Sequence, residues 1–273
     1  MSRLDRLAQR LRYQASKFYI PEDRVHILQT RTQGFDLLVR ANEDVGRAIH
    51  FARSFEPLET DFLRGVLHPD SVCLDVGANV GYFTMLMASI ATRGCIHAFE
   101  PLPLNAALIT ASAALNGFRN IVPAAAAVGA EPGTVEFVEA TDSAYSSIHD
   151  TGRKGVGRRF DVPVVTLDAH VEKHALGSID VLKIDVEGAE GLVIEGAAAL
   201  LADPARRPSI ILIELFQPNL DGFGTTVAAI VGMLIANDYT ASVLDRSGRQ
   251  QAYDPATDRH YNLIFTANRG AVA

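Results

Sequence analysis

From Ser71 onward, short apolar runs alternate with stretches in which apolar residues recur every three or four positions. The runs predict strands at Val72–Val76, Cys95–Phe99, 121–128, 179–185, Ile210–Glu214, Tyr239–Leu244 and 261–266. Helices are predicted between most of them. The clearest is 82–92, where Phe83, Leu86, Met87 and Ile90 share a face and Gly94 stops the run. The next is 104–115, stopped by Asn116 and Gly117. This alternation predicts an α/β fold: a mostly parallel sheet covered by helices on both faces, with residues 179–184 and 210–215 at its centre.

Upstream, Leu4, Leu7, Leu11 and Ala15 fall on one side of a predicted helix at 2–18, which ends before Pro21. Residues 35–40 and 47–52 read as strands, paired in a hairpin around 42–46, and 57–67 reads as a helix. Residues 1–68 are therefore expected to be an extension packed on a main domain at 69–273. That domain is interrupted at about 130–170, and no simple helix is predicted between Val128 and Ile179. Gly133 to Glu139 alternates like an extra strand, a polar loop follows, and a second strand is predicted at 162–167. Insertions of this length often act as lids or binding elements.

Charge narrows the partners. The formal net charge of −7 and the absence of tryptophan disfavour a nucleic-acid grip or a base-stacking platform. Arg153, Lys154, Arg158 and Arg159 cluster, but in a glycine-rich stretch that reads as a solvated loop. No apolar stretch approaches the ~20 residues of a membrane span, and Val227–Ala236 fits a buried helix. Arg3, Arg6, Arg10 and Arg12 lack an apolar signal core beside them, so a cytoplasmic protein is expected. Cys73 and Cys95 lie in predicted core strands and read as buried free thiols.

The candidate chemistry begins at Val72-Cys73-Leu74-Asp75-Val76-Gly77-Ala78-Asn79-Val80-Gly81, a buried strand running through a glycine turn into a helix. Ligands of open α/β sheets bind at such strand ends. Gly77 and Gly81 are expected to let the backbone approach a ligand, and the free N–H groups of the turn to receive a carboxylate. Asp75 suits a cationic amino group. Glu100 ends the next strand, about 20 residues on, where an acid can hold a ribose diol. The pyrophosphate-binding pattern G-x-G-x-x-G is absent, which favours S-adenosylmethionine over NAD. An NAD-dependent oxidoreductase and a non-catalytic nucleoside-binding protein remain as alternatives.

Asp185 ends a central strand on the ligand side and is the candidate base. Lys183, two residues earlier, shares its face, and Asp185 or Glu187 can pair it. A buried ion pair with no catalytic role explains the same residues. Glu190 falls in the first turn of the next helix, Glu214 is a further pocket candidate, and His149 in the polar loop is a second candidate base. His170 and His174 are four apart, but lack a clear third metal ligand, so no metal is expected.

Leu74-Asp75-Val76-Gly77-Ala78-Asn79-Val80-Gly81, Phe99-Glu100-Pro101 and Leu182-Lys183-Ile184-Asp185-Val186-Glu187-Gly188-Ala189-Glu190 resemble the FkbM-type methyltransferases, with Arg40-Ala41-Asn42-Glu43-Asp44 upstream. The resemblance runs from about Gly34 to Asn268. It implies a Rossmann-like class I methyltransferase fold with a seven-stranded sheet whose last strand is antiparallel. It further implies S-adenosylmethionine as cofactor and transfer to oxygen on sugars, polyketides or other natural products. By motif, Asp75, Gly77, Asn79 and Gly81 should meet the methionine part and Glu100 the ribose. Ser146 and Ser147 resemble a family feature near the cofactor. Ala78, Tyr82, Pro101, Asn105, Ala127, Val128 and Asp185 complete the candidate cofactor set. The expected partner is a small hydroxylated acceptor, and the leading segment is a candidate dimer interface.

Overall fold

In the computed structural model, which describes residues 20, 24–140, 156–258 and 261–268, the alternation after Ser71 becomes one large sheet. Strands β3 (Val72–Val76), β4 (Cys95–Phe99) and β5 (Ile121–Ala124) run parallel on one side. On the other side lie β9 (Val181–Ile184) and β10 (Ile210–Glu214), also parallel. Beyond β10, β13 (Asn262–Ala267) is antiparallel and is followed by β11 (Tyr239–Leu244) and the short β12 (Gln250–Ala252). The order is β12-β11-β13-β10-β9-β3-β4-β5. The expected seven strands and the antiparallel last strand are present. β12 adds an eighth strand at one edge. From β3 the chain runs outward through β4 to β5, then returns to place β9 on the opposite side of β3. The sheet thus has its switch point between β3 and β9, where a crevice opens at the carboxyl ends of the strands.

The pleat sorts the core into two layers. Leu74, Val76, Phe99, Leu182 and Ile184 face one side, against α5 (Leu167–Lys173), α6 (Glu190–Glu195), α7 (Ala198–Ala202), the short α8 (Gln217–Leu220) and α9 (Val227–Ala236). Cys73, Ile96, Ala98, Val181 and Leu212 face the other, against α2 (Pro57–Val66), α3 (Tyr82–Ile90) and α4 (Pro103–Asn116). All four residues of β9 are buried, as a central parallel strand requires. Both cysteines are free thiols. Among the described residues no single helix is long and apolar enough to cross a membrane.

Three expectations are corrected. Residues 47–52 are not a strand: Asp44–Ala52 forms α1. Its apolar positions Val45, Ile49 and Ala52 recur at helical spacing, and the buried Arg47 donates to the carbonyls of Ala41 and Asn42 at the helix entrance. The hairpin therefore lies earlier, between β1 (Ile27–Thr32) and β2 (Phe35–Arg40). Its two-residue loop, Gln33 and Gly34, has positive φ at both positions (50° and 97°), the turn that suits strand twist. Second, 121–128 is not one strand. It breaks at Ala125 and Ala126, so that β5 stays in the main sheet while β6 (Ala127–Val128) joins a small sheet with β7 (Gly133–Ala140) and β8 (Val156–Val165). Third, a helix does lie between Val128 and Ile179. It is α5, capped by the Thr166 side chain, which accepts from the Ala169 N–H.

The hairpin is fastened to the main sheet's helices. Asn116 on α4 accepts from the Asp36 N–H and donates to the Asp36 carbonyl, and Ser112 accepts from the Leu38 N–H. The predicted helix at 2–18, the basic pair Arg153 and Lys154, and Ser146, Ser147 and His149 lie outside the described residues.

Candidate active site

A cavity of about 440 Å³ opens at the switch point, a size that suits a small-molecule ligand. Asp75, Glu100, Asp185 and Glu214, each at the end of a different strand, line it. Lys183, Glu56 and Glu187 join them, and Phe83, Phe99, Val128 and Phe137 give it apolar wall.

Glu100 is buried, and its carboxylate is held from below. Oε1 accepts from the Leu102 N–H at 2.9 Å and Oε2 from the Asn79 N–H at 2.8 Å. Burial pushes its pKa up to about 8 against the pull of those amides. The Asn105 side chain hydrogen-bonds the same carboxyl, which leaves acceptor capacity for a ribose hydroxyl. Asp75 is fully buried on β3. Its Oδ2 accepts from the Thr84 hydroxyl, and its Oδ1 has no partner. Burial raises the pKa of this carboxyl, and the Lys183 charge opposes the rise. An unpartnered acceptor in a cavity wall is a site for a cationic donor.

Lys183 explains itself once the strands are paired. It is the register partner of Asp75 on β9, and its Nζ lies 3.1 Å from Asp185 Oδ2 and 5.0 Å from the Phe83 ring centre. Burial works against the ammonium, but Asp185, Asp75 and Glu56 outweigh it and hold its pKa above the ordinary lysine value. Of the two partners open to it by sequence, Asp185 is the one it takes. Beyond this pair, carboxylate oxygens of Asp185, Glu187 and Glu214 lie within 4.8 Å of one another. Acids so close do not all ionise. Burial, then Asp185 and Glu187, push Glu214 up to about 10, and burial, then Asp185, push Glu56 up to about 8. Burial thus favours the protonated form of both, and Glu214 hydrogen-bonds Asp185.

The cavity gathers Asp75, Gly77, Ala78, Asn79, Tyr82, Glu100, Pro101, Ala127, Val128, Lys183 and Asp185. Two expected members stand behind it. Gly81 faces α4, where an added Cβ would lie 2.9 Å from the Ile109 side chain. Asn105 is buried and donates to Asn79 Oδ1, bracing the turn beside Glu100. The reason for Gly77 is also different from the one expected. Its Cβ would lie 1.8 Å from the Asp185 carbonyl, at φ +81°, so this glycine lets two strand ends touch. Four amides of the turn already have partners within the chain. Those of Gly77 and Ala78 donate to the Phe99 carbonyl, that of Asn79 to Glu100 and that of Gly81 to the Ala78 carbonyl.

The upstream motif reaches the same place. Arg40 pairs with Glu43 at 2.6 Å and donates to Asn105, while Asp44 lines the cavity. Sequence reasoning missed Glu56. It precedes α2 in a left-handed conformation (φ 38°), and no local pattern carries it to the cavity. Glu190 opens α6 as expected, and its Oε1 accepts from the N–H groups of Val186 and Gly188.

The Methyltransferase FkbM domain family matches residues 75–241, well over half of the chain. The chain belongs to the FkbM methyltransferase family. S-adenosylmethionine is that family's cofactor, and the domain holding the cavity is an S-adenosylmethionine-dependent methyltransferase domain. The FkbM-family chain is 29% identical to the 31-O-demethyl-FK506 methyltransferase FkbM of Streptomyces tacrolimicus, over 61% of this chain and 73% of that protein. It is 60% identical over 37 residues to the AMB antimetabolite synthetase AmbE of Pseudomonas aeruginosa, a stretch of 14% of this chain and 2% of that protein's length. Among solved structures it is similar to precorrin-6y C5,15-methyltransferase of Geobacter metallireducens. Identity there is 17%, with 77% and 87% of the two chains covered and a TM-score of 0.42.

The residues present fit the family's cofactor. The unpartnered Asp75 Oδ1 suits its ammonium, the remaining acceptor capacity of Glu100 suits a ribose hydroxyl, and Phe99, Leu102 and Val128 offer an apolar wall beside Glu100.

Proposed function

We propose that this FkbM-family domain methylates a hydroxyl oxygen of a small molecule such as a sugar or another natural product. One observation carries the reading: acids ending four neighbouring strands face a single cavity, two suited to an adenosyl amino acid and two beside a lysine. The Streptomyces relative, named for a 31-O-demethyl compound, supports oxygen as the acceptor atom.

When bound, the cofactor supplies an electrophilic methyl carbon. Asp75, Asn79 and Glu100 would hold it, with Ala127 and Val128 along its adenosine side. The chain must then align one acceptor oxygen with that carbon and remove its proton. Asp185 is the group proposed to accept the proton, since it faces the cavity and is anchored by Lys183. Lys183 acts through Asp185, fixing its carboxylate in the cavity wall. Glu214 hydrogen-bonds Asp185, and Glu56, which burial drives toward its protonated form, would donate a hydrogen bond to a neighbouring oxygen of a polyhydroxylated acceptor.

The test is a transfer assay with methyl-labelled S-adenosylmethionine against a panel of sugars, glycosides and polyketide alcohols, with amines as controls. Label is expected in an acid- and base-stable methyl ether. Transfer only to the amines overturns the oxygen assignment.

A further inference from the structure

We propose that His97, His170 and His174 form a binding site for a divalent transition cation of the zinc class, separate from the cofactor cavity. By sequence, His170 and His174 show a spacing common among zinc ligands but lack a third. The fold supplies it from β4, seventy-three residues upstream of His170.

Three observations carry the assignment. The first is convergence. His170 Nε2 lies 2.9 Å from His97 Nδ1, and one nitrogen of each ring lies within 4.8 Å of the other two. Ring centres are 4.9 Å apart for His97 and His170, 5.0 Å for His97 and His174, and 4.3 Å for His170 and His174. Ligand nitrogens about 2.0–2.1 Å from a tetrahedral zinc stand roughly 3.3 Å from each other. The His97 and His170 nitrogens would part by a few tenths of an ångström, and a turn of the exposed His174 side chain would set the other two distances.

The second is burial. His97 and His170 are buried with these two ring nitrogens facing each other. Imidazole nitrogens are the commonest metal ligands.

The third is support behind the first ligand. Cys95 Sγ lies 3.5 Å from His97 Nε2, on the far side of the ring from His170. Such a contact fixes the ring with Nδ1 turned to the site.

An all-nitrogen set favours zinc, cobalt, nickel or copper over magnesium and calcium. None of the three histidines lines the cofactor cavity. The link between the two sites is Phe99, which lines that cavity while its ring packs 4.6 Å from His170. A cation here would clip α5 to β4, the strand that leads into Glu100, and leave a fourth position open beside the exposed His174.

The test uses the full chain without a histidine tag, stripped with a chelator and titrated with cobalt(II) while visible absorption is followed. The expected result is saturation at one equivalent, displacement by one equivalent of zinc, and no displacement by a large excess of magnesium. Magnesium would instead compete if the cobalt sat among Asp185, Glu187 and Glu214. His174→Ala removes an exposed ligand, so its fold is kept; its cobalt affinity should fall at least tenfold. No saturating absorption at one equivalent, effective competition by magnesium, or unchanged affinity in His174→Ala would each overturn the proposal.

Discussion

Asp75 and Lys183 stand opposite each other on adjacent strands, and Asp185 closes the pair. Each was legible in the sequence because strand ends were bounded by turn residues and alternation fixed the facing side. The contribution of Glu56 and the closeness of His97 to His170 depend on chain segments far apart in sequence, and no local pattern encodes that. Two predictions belong at this scale. Glu100→Gln keeps the shape of the side chain but removes a carboxylate oxygen. Leaving a ribose hydroxyl without its acceptor, at about 1–3 kcal/mol, should weaken S-adenosylhomocysteine binding roughly fivefold to a hundredfold, read by calorimetry. Asp185→Asn should lower kcat by about 10²–10⁴ and leave that binding within a few-fold. An unchanged kcat would leave the Lys183 and Asp185 pair a structural one.

Strands β3, β4, β10 and β11 match their sequence-read bounds because each is a short apolar run closed by polar or turn residues. α1 was misread because six residues mixing apolar and aromatic types fit either period, and what decides is Ile49 reaching the core while Arg47 satisfies the carbonyls of Ala41 and Asn42. α5 went unseen because seven residues give too little periodicity to register. Glycine roles were legible only in part: position and backbone freedom were, but what fills the space beside each was not. Gly77→Ala should therefore cost about 2–5 kcal/mol in urea unfolding, combining left-handed strain with a backbone clash. A cost below 1 kcal/mol would mean that the β3 and β9 ends can separate freely. Asn116→Ala should cost about 1–3 kcal/mol, since it leaves the N–H and carbonyl of Asp36 unpaired on the hairpin. It should spare cofactor affinity, because Asn116 lies outside the cavity lining. A matching loss of affinity would show that the hairpin sets the turn through Arg40.

The whole molecule buries acids at its crevice, and its stability should record that. Glu100 is raised from 4.5 to about 8 and Glu190 to about 7, both chiefly by burial. The folded chain then holds protons that the unfolded chain has released, so this stability is full at low pH and is lost as pH rises through 7 and 8. His97 and His170, lowered from 6.5 to about 4, act oppositely, but only below 6.5, where the unfolded chain begins to bind protons. Between pH 6.5 and 8 the acids stand alone. The unfolding free energy of the ligand-free protein, from urea titrations, should fall across that window by up to about 1.4 kcal/mol per pH unit for each proton retained, and the urea midpoint with it. Glu100→Gln should flatten the slope, and a midpoint rising from pH 6.5 to 8 would contradict the burial argument. The account as a whole is tested most directly by a crystal structure of the protein with S-adenosylhomocysteine. It predicts the ribose hydroxyls on Glu100, the ammonium on Asp75 Oδ1 and the sulfur turned toward Asp185. A ligand bound elsewhere, or lying in the crevice with Asp75 and Glu100 both making no contact to it, would contradict the account.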